Sequence, residues 1–352
     1  MNDKLKSNAF ATKIKNWGIE LGFNHVGISD ANLKSQEKSY QQWIKLGFHG
    51  DMSYLKRHQN LKFSPESLVK DTVSIISVRL DYMPLKESTL TVLKDKNRAY
   101  ISRYALGRDY HKVIRSKLKK LAEKIKVEAR NLSTNIRVFT DSAPVLEVGI
   151  AEKAGLGWRG KHTLLLNKEH GSWFFLGEIY TNLSLPYDSY VTKHCGSCKA
   201  CIDICPTNAI IAPYKLDARK CISYLTIENK NEIPVQYRKA IGNRVYGCDD
   251  CQLVCPWNKY AKITKEKDFL VRHDLNNISL IDSFKFSEED FNNVFKGSAI
   301  YRIGYQQWLR NIAVGLGNAP KSQETIRVLK SKLDSSSDLV KKHIVWAIDQ
   351  HK

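Results

Sequence analysis

The sequence predicts an α+β protein in three parts: a mixed N-terminal domain, a small cysteine-rich module and a C-terminal set of helices. Three observations support this prediction. Helical and extended patterns alternate over residues 1–188, all eight cysteines fall between residues 195 and 255, and the pattern beyond residue 262 is helical. We therefore expect domains at 1–188, 189–262 and 263–352, the first with an α/β or α+β architecture.

Length and composition set broad limits. The chain has 352 residues, enough for two or three domains, and no stretch approaches the ~20 apolar residues of a membrane-spanning helix. No apolar signal segment opens the sequence, so we expect a cytoplasmic protein with reduced thiols. The formal net charge of +20 favours an anionic polymer as partner, although a lysine-rich proteome would produce the same excess.

The elements of the N-terminal domain follow from apolar spacing. Apolar residues at three- and four-residue intervals predict helices, and short buried runs between turn signals predict strands. The predicted helices are 4–21, 40–47, 110–130 and 145–154, and the predicted strands are 24–29, 72–78 and 135–140. Segments 162–167 and 173–180 predict a hairpin that turns at His170 and Gly171.

Asp141 is the candidate catalytic residue of this domain. It follows the predicted strand 135–140 and begins the loop Asp141-Ser-Ala-Pro144. Catalytic side chains are common at such strand ends, and a carboxyl group in an apolar pocket can stay protonated near neutral pH and donate its proton. From the residues alone, an Asx turn that organises the loop is the favoured alternative.

A glycine-rich stretch and three polar clusters are explained by structure rather than by catalysis. The stretch Gly155-Leu-Gly-Trp-Arg-Gly160 matches a dinucleotide fingerprint, but a predicted helix precedes it and a strand follows, which is the wrong context. These glycines are expected to end a helix and to allow close approach of a bulky group. The polar groups at 103–104, 108–111 and 159–162 favour an exposed basic surface over a site.

The cysteines form two complementary runs. Residues 195–206 have the pattern C-x2-C-x2-C-x3-C-P, residues 248–256 have C-x2-C-x3-C-P, and Cys221 lies between them. In such runs three cysteines bind one iron-sulfur cubane and the fourth binds the other. The pairing that uses every cysteine assigns Cys195, Cys198, Cys201 and Cys255 to one [4Fe-4S] cluster and Cys205, Cys221, Cys248 and Cys251 to a second.

Zinc is the main alternative occupant of these cysteines. Paired C-x2-C steps also suit tetrahedral zinc, but two zinc sites would not explain the third cysteine of the first run or the two Cys-Pro endings. Disulfides are not expected where thiols stay reduced.

The C-terminal part is predicted to contain amphipathic helices at 287–295, 305–316, 322–332 and 339–350. Helices of this length in succession are similar to a short HEAT-like solenoid, whose face commonly binds a large partner. An ordinary helical cap over the cysteine module explains the same pattern.

The ordered set of motifs resembles the epoxyqueuosine reductase family over nearly the whole chain. The motifs that carry the resemblance are 50–55 with Arg57, 103–111, 139–147, 153–163, Gly177-Glu-Ile and both cysteine runs as far as Asn258. Asp51 departs from the glutamate that is more usual in the first motif. The likeness extends more distantly to reductive dehalogenases, which also combine a corrinoid with two cubanes.

The resemblance implies a cobalamin-dependent enzyme that reduces epoxyqueuosine to queuosine at the wobble position of tRNA, the last step of queuosine biosynthesis. It implies that two clusters, supplied by an external low-potential electron donor, reduce a cobalamin in the N-terminal domain, and that Asp141 donates the proton. Cobalamin contacts are implied for Arg57, Tyr104, Asp141, Lys161, His162 and Ser223. We expect a monomer whose helical domain contributes to tRNA binding.

Three other functions remain at this stage. A ferredoxin-type electron carrier would use both clusters but would leave the N-terminal domain unexplained. A corrinoid enzyme similar to the dehalogenases would act on a small molecule, which the basic charge does not favour. A zinc-stabilised RNA-binding module would have no redox activity.

Overall fold

The computed structural model describes residues 2–84, 89–129 and 133–352, and the side chains from residue 7 onward within those ranges. In the N-terminal part, helices α1–α7 span Asn2–Glu20, Glu37–Lys45, Ser53–Arg57, Pro65–Leu68, Thr89–Lys94, Tyr110–Glu128 and Glu147–Lys153. Strands β1–β7 span His25–Asp30, Ser74–Asp81, Tyr100–Ile101, Ile136–Phe139, Trp158–Arg159, Leu165–Leu166 and Phe174–Thr181. The predicted end of the long helix at Arg130 lies outside the described residues.

The central sheet is antiparallel, in the order β1-β2-β7-β4. The overall α+β class is confirmed, and of the two architectures expected for the N-terminal part the antiparallel pairing fits α+β. Helices α1 and α6 cover one face of the sheet and α7 covers the other. Strand β2 is therefore buried on both faces along its whole length, although Ser74, Ser77, Arg79 and Asp81 are interspersed with its apolar residues.

The hairpin predicted around His170 and Gly171 is wrong. Strand β7 pairs with β2 on one side and β4 on the other, whereas β6 pairs with β5. Near the predicted turn, the described residues have an isolated bridge between Asn167 and Gly171. An eight-residue strand that is buried almost throughout gains more from pairing with the eight-residue β2 and the four-residue β4 than from the two-residue β6.

The cysteine module contains short elements, as predicted. Helices α8–α11 span Ala200–Asp203, Ile222–Ile227, Val235–Ile241 and Asp250–Leu253, and strands β8–β10 span Ile210–Ala212, Lys215–Leu216 and Arg244–Tyr246. Strand β10 pairs in parallel with β3 of the N-terminal part. Beside this pairing, buried Asp249 accepts hydrogen bonds from the Tyr100 hydroxyl (2.7 Å), the Ser102 hydroxyl (2.5 Å) and the Arg103 amide (2.9 Å).

The C-terminal helices α12–α16 span Leu280–Lys285, Glu288–Phe295, Gly304–Gly317, Gln323–Ser331 and Asp338–His351. The four predicted helices are confirmed to within a few residues. Helix α14 packs on α12, α16 and β10, so this part shares a core with the rest of the chain. The HEAT-like character and the domain boundaries stay predictions. Among the described residues, no helix has the length and apolar character needed to cross a membrane.

Candidate active site

A large cleft lies where the N-terminal part, the cysteine module and the C-terminal part meet. It consists of two adjoining cavities of about 410 and 490 Å³. The residues that line both cavities are Tyr104, Tyr110, Asp141, Leu216, Cys221 and Ser223. The three predicted contact residues Tyr104, Asp141 and Ser223 are therefore brought together at the junction.

Asp141 is held at the edge of this cleft by three groups. It follows β4 with a φ of +53°, a left-handed conformation that is uncommon outside glycine. Its carboxylate accepts a hydrogen bond from the Tyr110 hydroxyl, and its Oδ2 lies 3.1 Å from His111 Nε2. The backbone amide of Asp141 donates to Glu147 Oε1 at 2.5 Å.

Tyr110 and His111 are presented by the first turn of α6. Asp109 caps this helix by accepting a hydrogen bond from the His111 amide, and Asp109 Oδ1 lies 2.7 Å from His111 Nδ1. One imidazole thus lies between two carboxyl groups. Arg302, from the C-terminal part, places its Nη1 3.1 Å from His111 Nε2 and its Nε 3.6 Å from Asp109 Oδ2.

These contacts change where a proton resides. Burial alone would raise the pKa of Asp141, but the hydrogen bonds from His111 and Tyr110 outweigh burial and hold that pKa below its usual range. Burial alone would lower the pKa of His111, but its hydrogen bonds to Asp109 and Asp141 raise it. The environment that would keep Asp141 protonated, an apolar pocket, is therefore not what its carboxyl group meets, because Tyr110 and His111 contact it directly. The two shifts favour the proton of this pair on the imidazole of His111 over the carboxyl group of Asp141.

The cysteines lie in two groups that correspond to the predicted pairing. Cys205, Cys221, Cys248 and Cys251 line the 410 Å³ cavity, beside Ser223. Cys195, Cys198, Cys201 and Cys255 line a separate cavity of about 250 Å³. Four thiols converging on each of two cavities is the arrangement that a pair of cubanes requires. Cys198 and the loop around it are exposed to solvent.

His162 separates the two cysteine groups, because it lines both of their cavities. Its Nδ1 accepts a hydrogen bond from the Leu164 amide at 3.2 Å, which places the imidazole proton on Nε2. Burial lowers the pKa of His162 to about 4, so the ring is neutral. Nε2 is buried and has no hydrogen-bond partner among the described residues. An unpartnered buried donor in this wall fits a bound cofactor that offers an acceptor.

Two predicted cobalamin contacts lie elsewhere. Lys161 donates to the carbonyl oxygens of Gly196 (2.6 Å) and Cys198 (2.8 Å), so its ammonium group fixes the exposed cysteine loop. Lys161 does not line either of the two cavities that form the large cleft. Arg57 is the exposed last residue of α3 and likewise lines neither cavity. Their contacts with cobalamin stay predictions.

The polar groups interpreted as exposed surface are mostly buried, so that interpretation is wrong for them. Arg103, Asp109, His111 and His162 are each less than a tenth exposed. The signal that could have identified His111 is Asp109, a helix-capping residue two positions earlier at the start of a long helix. No pattern in the sequence singles out Arg302 in the same way.

The glycine-rich stretch has the structural role expected of it. Helix α7 precedes it and β5 follows, so the dinucleotide context is absent at these described residues. Gly155 has a φ of +74°, and a Cβ on Gly157 would lie 2.0 Å from the Leu166 carbonyl oxygen. Close approach of the backbone therefore requires glycine here.

Comparisons with known proteins agree on one family. A family model described as "4Fe-4S double cluster binding domain" matches residues 194–258, and one described as "Epoxyqueuosine reductase QueG, DUF1730" matches residues 62–142. The epoxyqueuosine reductase of Pseudomonas aeruginosa is 52% identical over 97% of this chain and 94% of its own length. That of Escherichia coli is 51% identical over 99% of this chain and 92% of its own length.

Solved structures give the same result. A crystal structure of epoxyqueuosine reductase with an epoxyqueuosine-modified tRNA-Tyr stem loop is similar with a TM-score of 0.87 and 26% identity, covering 97% of this chain and 90% of that one. The Streptococcus thermophilus epoxyqueuosine reductase is similar with a TM-score of 0.85 and 27% identity, covering 97% and 90%. A Bacillus subtilis relative, at a TM-score of 0.87 and 26% identity, has its catalytic aspartate loop swung out of the active site.

Proposed function

Because this chain belongs to the epoxyqueuosine reductase family, we propose that the cleft around Asp141 is the place where it reduces epoxyqueuosine in tRNA to queuosine. The enzyme is an oxidoreductase of tRNA modification that uses two [4Fe-4S] clusters and cobalamin. One observation carries the assignment of the site: four cysteines, Tyr104, Ser223 and the Asp141–His111 pair line the same cleft.

The residues that would hold the cofactors follow from their positions. We assign the clusters to the two cysteine groups that line separate cavities. Cobalamin would occupy the cleft against Tyr104 and Ser223, with His162 Nε2 as a donor to its periphery. When bound, cobalamin provides a centre that accumulates two electrons, and the clusters provide electrons singly.

The side chains of this protein contribute proton transfer to the reaction. Reduction of the epoxide consumes two electrons and two protons, breaks its carbon–oxygen bonds and releases the oxygen as water, leaving an alkene. The departing oxygen needs a proton as its charge develops. Asp141, which lines both cavities, donates that proton, and His111 at 3.1 Å restores it. Tyr110 keeps the Asp141 carboxyl group oriented toward the cleft.

Electrons are taken up at the cysteine group farther from the cleft. Cys198 is exposed in a loop whose residues 192–194 and 196–199 are all exposed, whereas the group with Cys205 lines the cleft itself. A small external one-electron carrier of low potential can approach the first group without entering the cleft. His162 lies between the two groups, because it lines both of their cavities.

The substrate is a folded RNA, and the net charge of +20 suits its phosphates. A wobble nucleoside is presented in an anticodon loop, where a base can be splayed out and stacked on aromatic side chains. We further propose a monomer located in the cytoplasm, where its tRNA substrate and reduced thiols both occur.

The decisive test is an anaerobic single-turnover assay on an anticodon stem loop that contains epoxyqueuosine, with chemically reduced, cobalamin-loaded enzyme. Conversion to queuosine supports the proposal. A stem loop that lacks the epoxide is the substrate control, and Asp141→Asn is the matched enzyme control. Equal conversion by wild type and D141N would refute the role of Asp141, and no conversion by a fully loaded wild type would refute the function.

A further inference from the structure

Exposed lysines and tyrosines surround the 250 Å³ cavity that holds the exposed cysteine group. We call this set the collar, and its members are Lys193, Lys199, Tyr214, Lys259 and Tyr260, all of which are exposed. None of the five lines either cavity of the large cleft. The proposed reaction around Asp141 therefore gives these side chains no role.

One side of the collar is attached to the loop that carries Cys198. The buried ammonium group of Lys161 donates to the carbonyl oxygens of Gly196 and Cys198. The Lys161 carbonyl oxygen in turn accepts a hydrogen bond from the Tyr214 amide at 3.0 Å. The Lys193 ammonium group lies 5.6 Å from the centroid of the Tyr214 ring, within the range of a cation–π contact. A positive charge and an exposed aromatic ring are thereby held beside this loop.

The other side of the collar continues from the wall of the same cavity. His194 and Trp257 both line the cavity, and their ring centroids are 5.6 Å apart. The ring centroid of Trp257 is 6.1 Å from that of Tyr260, and the Lys259 ammonium group lies 4.7 Å from the Tyr260 centroid. A second pair of exposed lysine and tyrosine is therefore separated from the cavity by one indole ring.

Acidic side chains are scarce around this cavity. Segments 189–202, 205–216 and 253–265 contain six lysines and no aspartate or glutamate. The acids nearest to these segments in the sequence are Asp188, Asp203, Asp217, Asp250 and Glu266. All of them except exposed Asp203 form ion pairs with cationic side chains. The surface around the cavity therefore has a local excess of positive charge.

We propose that the collar is the docking surface for an acidic one-electron carrier protein that reduces the cluster held by the exposed cysteine group. The inference rests on the proposed uptake of electrons at that group. Each docking event moves one electron, so the carrier is oxidised by one electron and the cluster is reduced by one. No bond is made or broken, and two such events supply the two electrons of one turnover.

The position of the collar favours a protein carrier over the tRNA substrate. The substrate base has to reach the cleft around Asp141, whereas the collar surrounds the cavity on the other side of His162. The rate of electron transfer falls steeply with distance, and exposed Cys198 lets a carrier approach the cluster closely. Exposed tyrosines beside lysines suit a transient protein interface, because the rings provide contact area and the charges guide the approach.

The test measures electron transfer from reduced flavodoxin, an acidic flavoprotein, to the holoenzyme with both clusters and cobalamin. Stopped-flow spectroscopy follows formation of the flavin semiquinone. Lys193→Glu with Lys259→Glu reverses two charges of the collar, and Lys193→Arg with Lys259→Arg keeps them. Lys119→Glu with Lys120→Glu makes the same charge change at exposed positions of α6 and is the matched control. Lys199 is left unchanged because it adjoins an assigned cluster ligand.

At low ionic strength, K193E/K259E should lower the second-order rate constant roughly tenfold or more, because attraction between opposite charges raises association rates by at least that factor. The K193R/K259R and K119E/K120E enzymes should stay within about twofold of wild type. Added salt should reduce the difference by screening the charges. Equal rates for K193E/K259E and wild type, or an equal loss in K119E/K120E, would overturn the inference.

A small reductant checks that the substitutions leave the clusters intact. Reduced methyl viologen, a small cation, should reduce K193E/K259E at least as fast as wild type, because it does not need an acidic docking face. If that reaction is slow, the neutral pair K193Q/K259Q replaces the charge reversal. Its expected loss with flavodoxin is roughly threefold or more, and an unchanged rate would count against the inference.

Affinity for the epoxyqueuosine stem loop separates a carrier surface from an RNA surface. K193E/K259E should bind the stem loop within about twofold of wild type. A loss of affinity as large as the loss in carrier reduction would assign the collar to RNA and overturn the inference. Electron uptake is measured without tRNA, so an enzyme that accepts electrons normally but forms no queuosine would refute the proposed function alone.

Discussion

His111 Nε2 lies 3.1 Å from Asp141 Oδ2, so the imidazole and the carboxyl group share a proton position at the edge of the cleft. The other ring nitrogen is 2.7 Å from Asp109, which orients the imidazole. In such a pair Asp141 can donate a proton to the substrate, and His111 can then return a proton to Asp141. The arrangement predicts that the two residues act as a unit, and that neither tolerates replacement by a group that cannot exchange protons.

Replacement of His111 by Gln should slow single turnover by roughly two orders of magnitude, the usual contribution of an acid–base group. Glutamine still donates to Asp141 but cannot restore its proton. Because the folded pKa of His111 is raised, the proton is present at low pH and is lost as pH rises through that pKa. The wild-type rate should therefore fall at higher pH. A pH–rate series checks this, and an H111Q variant with the wild-type rate and pH limb would contradict it.

Replacement of Asp141 by Ala should abolish turnover, with a loss of at least about 10²-fold. The side chain is half-exposed to the cleft and contributes little to the core, so folding should be retained. The measurements are single-turnover conversion, iron and cobalt content, and affinity for the stem loop. Cofactor content and affinity should match wild type. Activity within a factor of about two of wild type would exclude Asp141 as the proton donor.

The sequence was sufficient for the features that depend on spacing along the chain. Cysteine spacing predicted two groups, and the structure places those same groups around two cavities. Apolar periodicity predicted the C-terminal helices, and two of them begin at a serine cap, Ser287 and Ser322. Both kinds of feature are encoded by residues that are close in the sequence.

Features that depend on distant residues could not be predicted in the same way. The hairpin prediction failed because the partners of β7 come from residues 74–81 and 136–139. Asp141 was identified from its own motif, but the groups that set its proton affinity are 30 residues earlier on α6. Their contact with Asp141 results from packing α6 and β4 against the same strand, which no local pattern encodes.

Replacement of Cys205 by Ser should remove one cluster and leave the other. Cys205 belongs to the group that lines the cleft, while Cys195, Cys198, Cys201 and Cys255 keep their full set in the second cavity. Iron analysis of anaerobically purified protein should show about half the iron of wild type. Cys198→Ser is the matched variant in the other group and should retain the complementary half. Loss of nearly all iron in C205S would contradict the pairing, or would show that the clusters assemble as one unit.

Replacement of Arg310 by Met should destabilise the junction between the C-terminal helices and the cysteine module. Arg310 on α14 is fully buried, and its guanidinium donates to the carbonyl oxygens of Leu225, Asn229 and Asn231. Methionine fills similar volume but leaves these carbonyls unpaired, at about 1 kcal/mol or more for each that stays buried. We expect the three carbonyls together to lower the free energy of unfolding by about 3 kcal/mol and the melting temperature by several degrees. Arg327→Met, at an exposed position, is the control, and equal melting temperatures for the two variants would show that Arg310 does not bind the parts together.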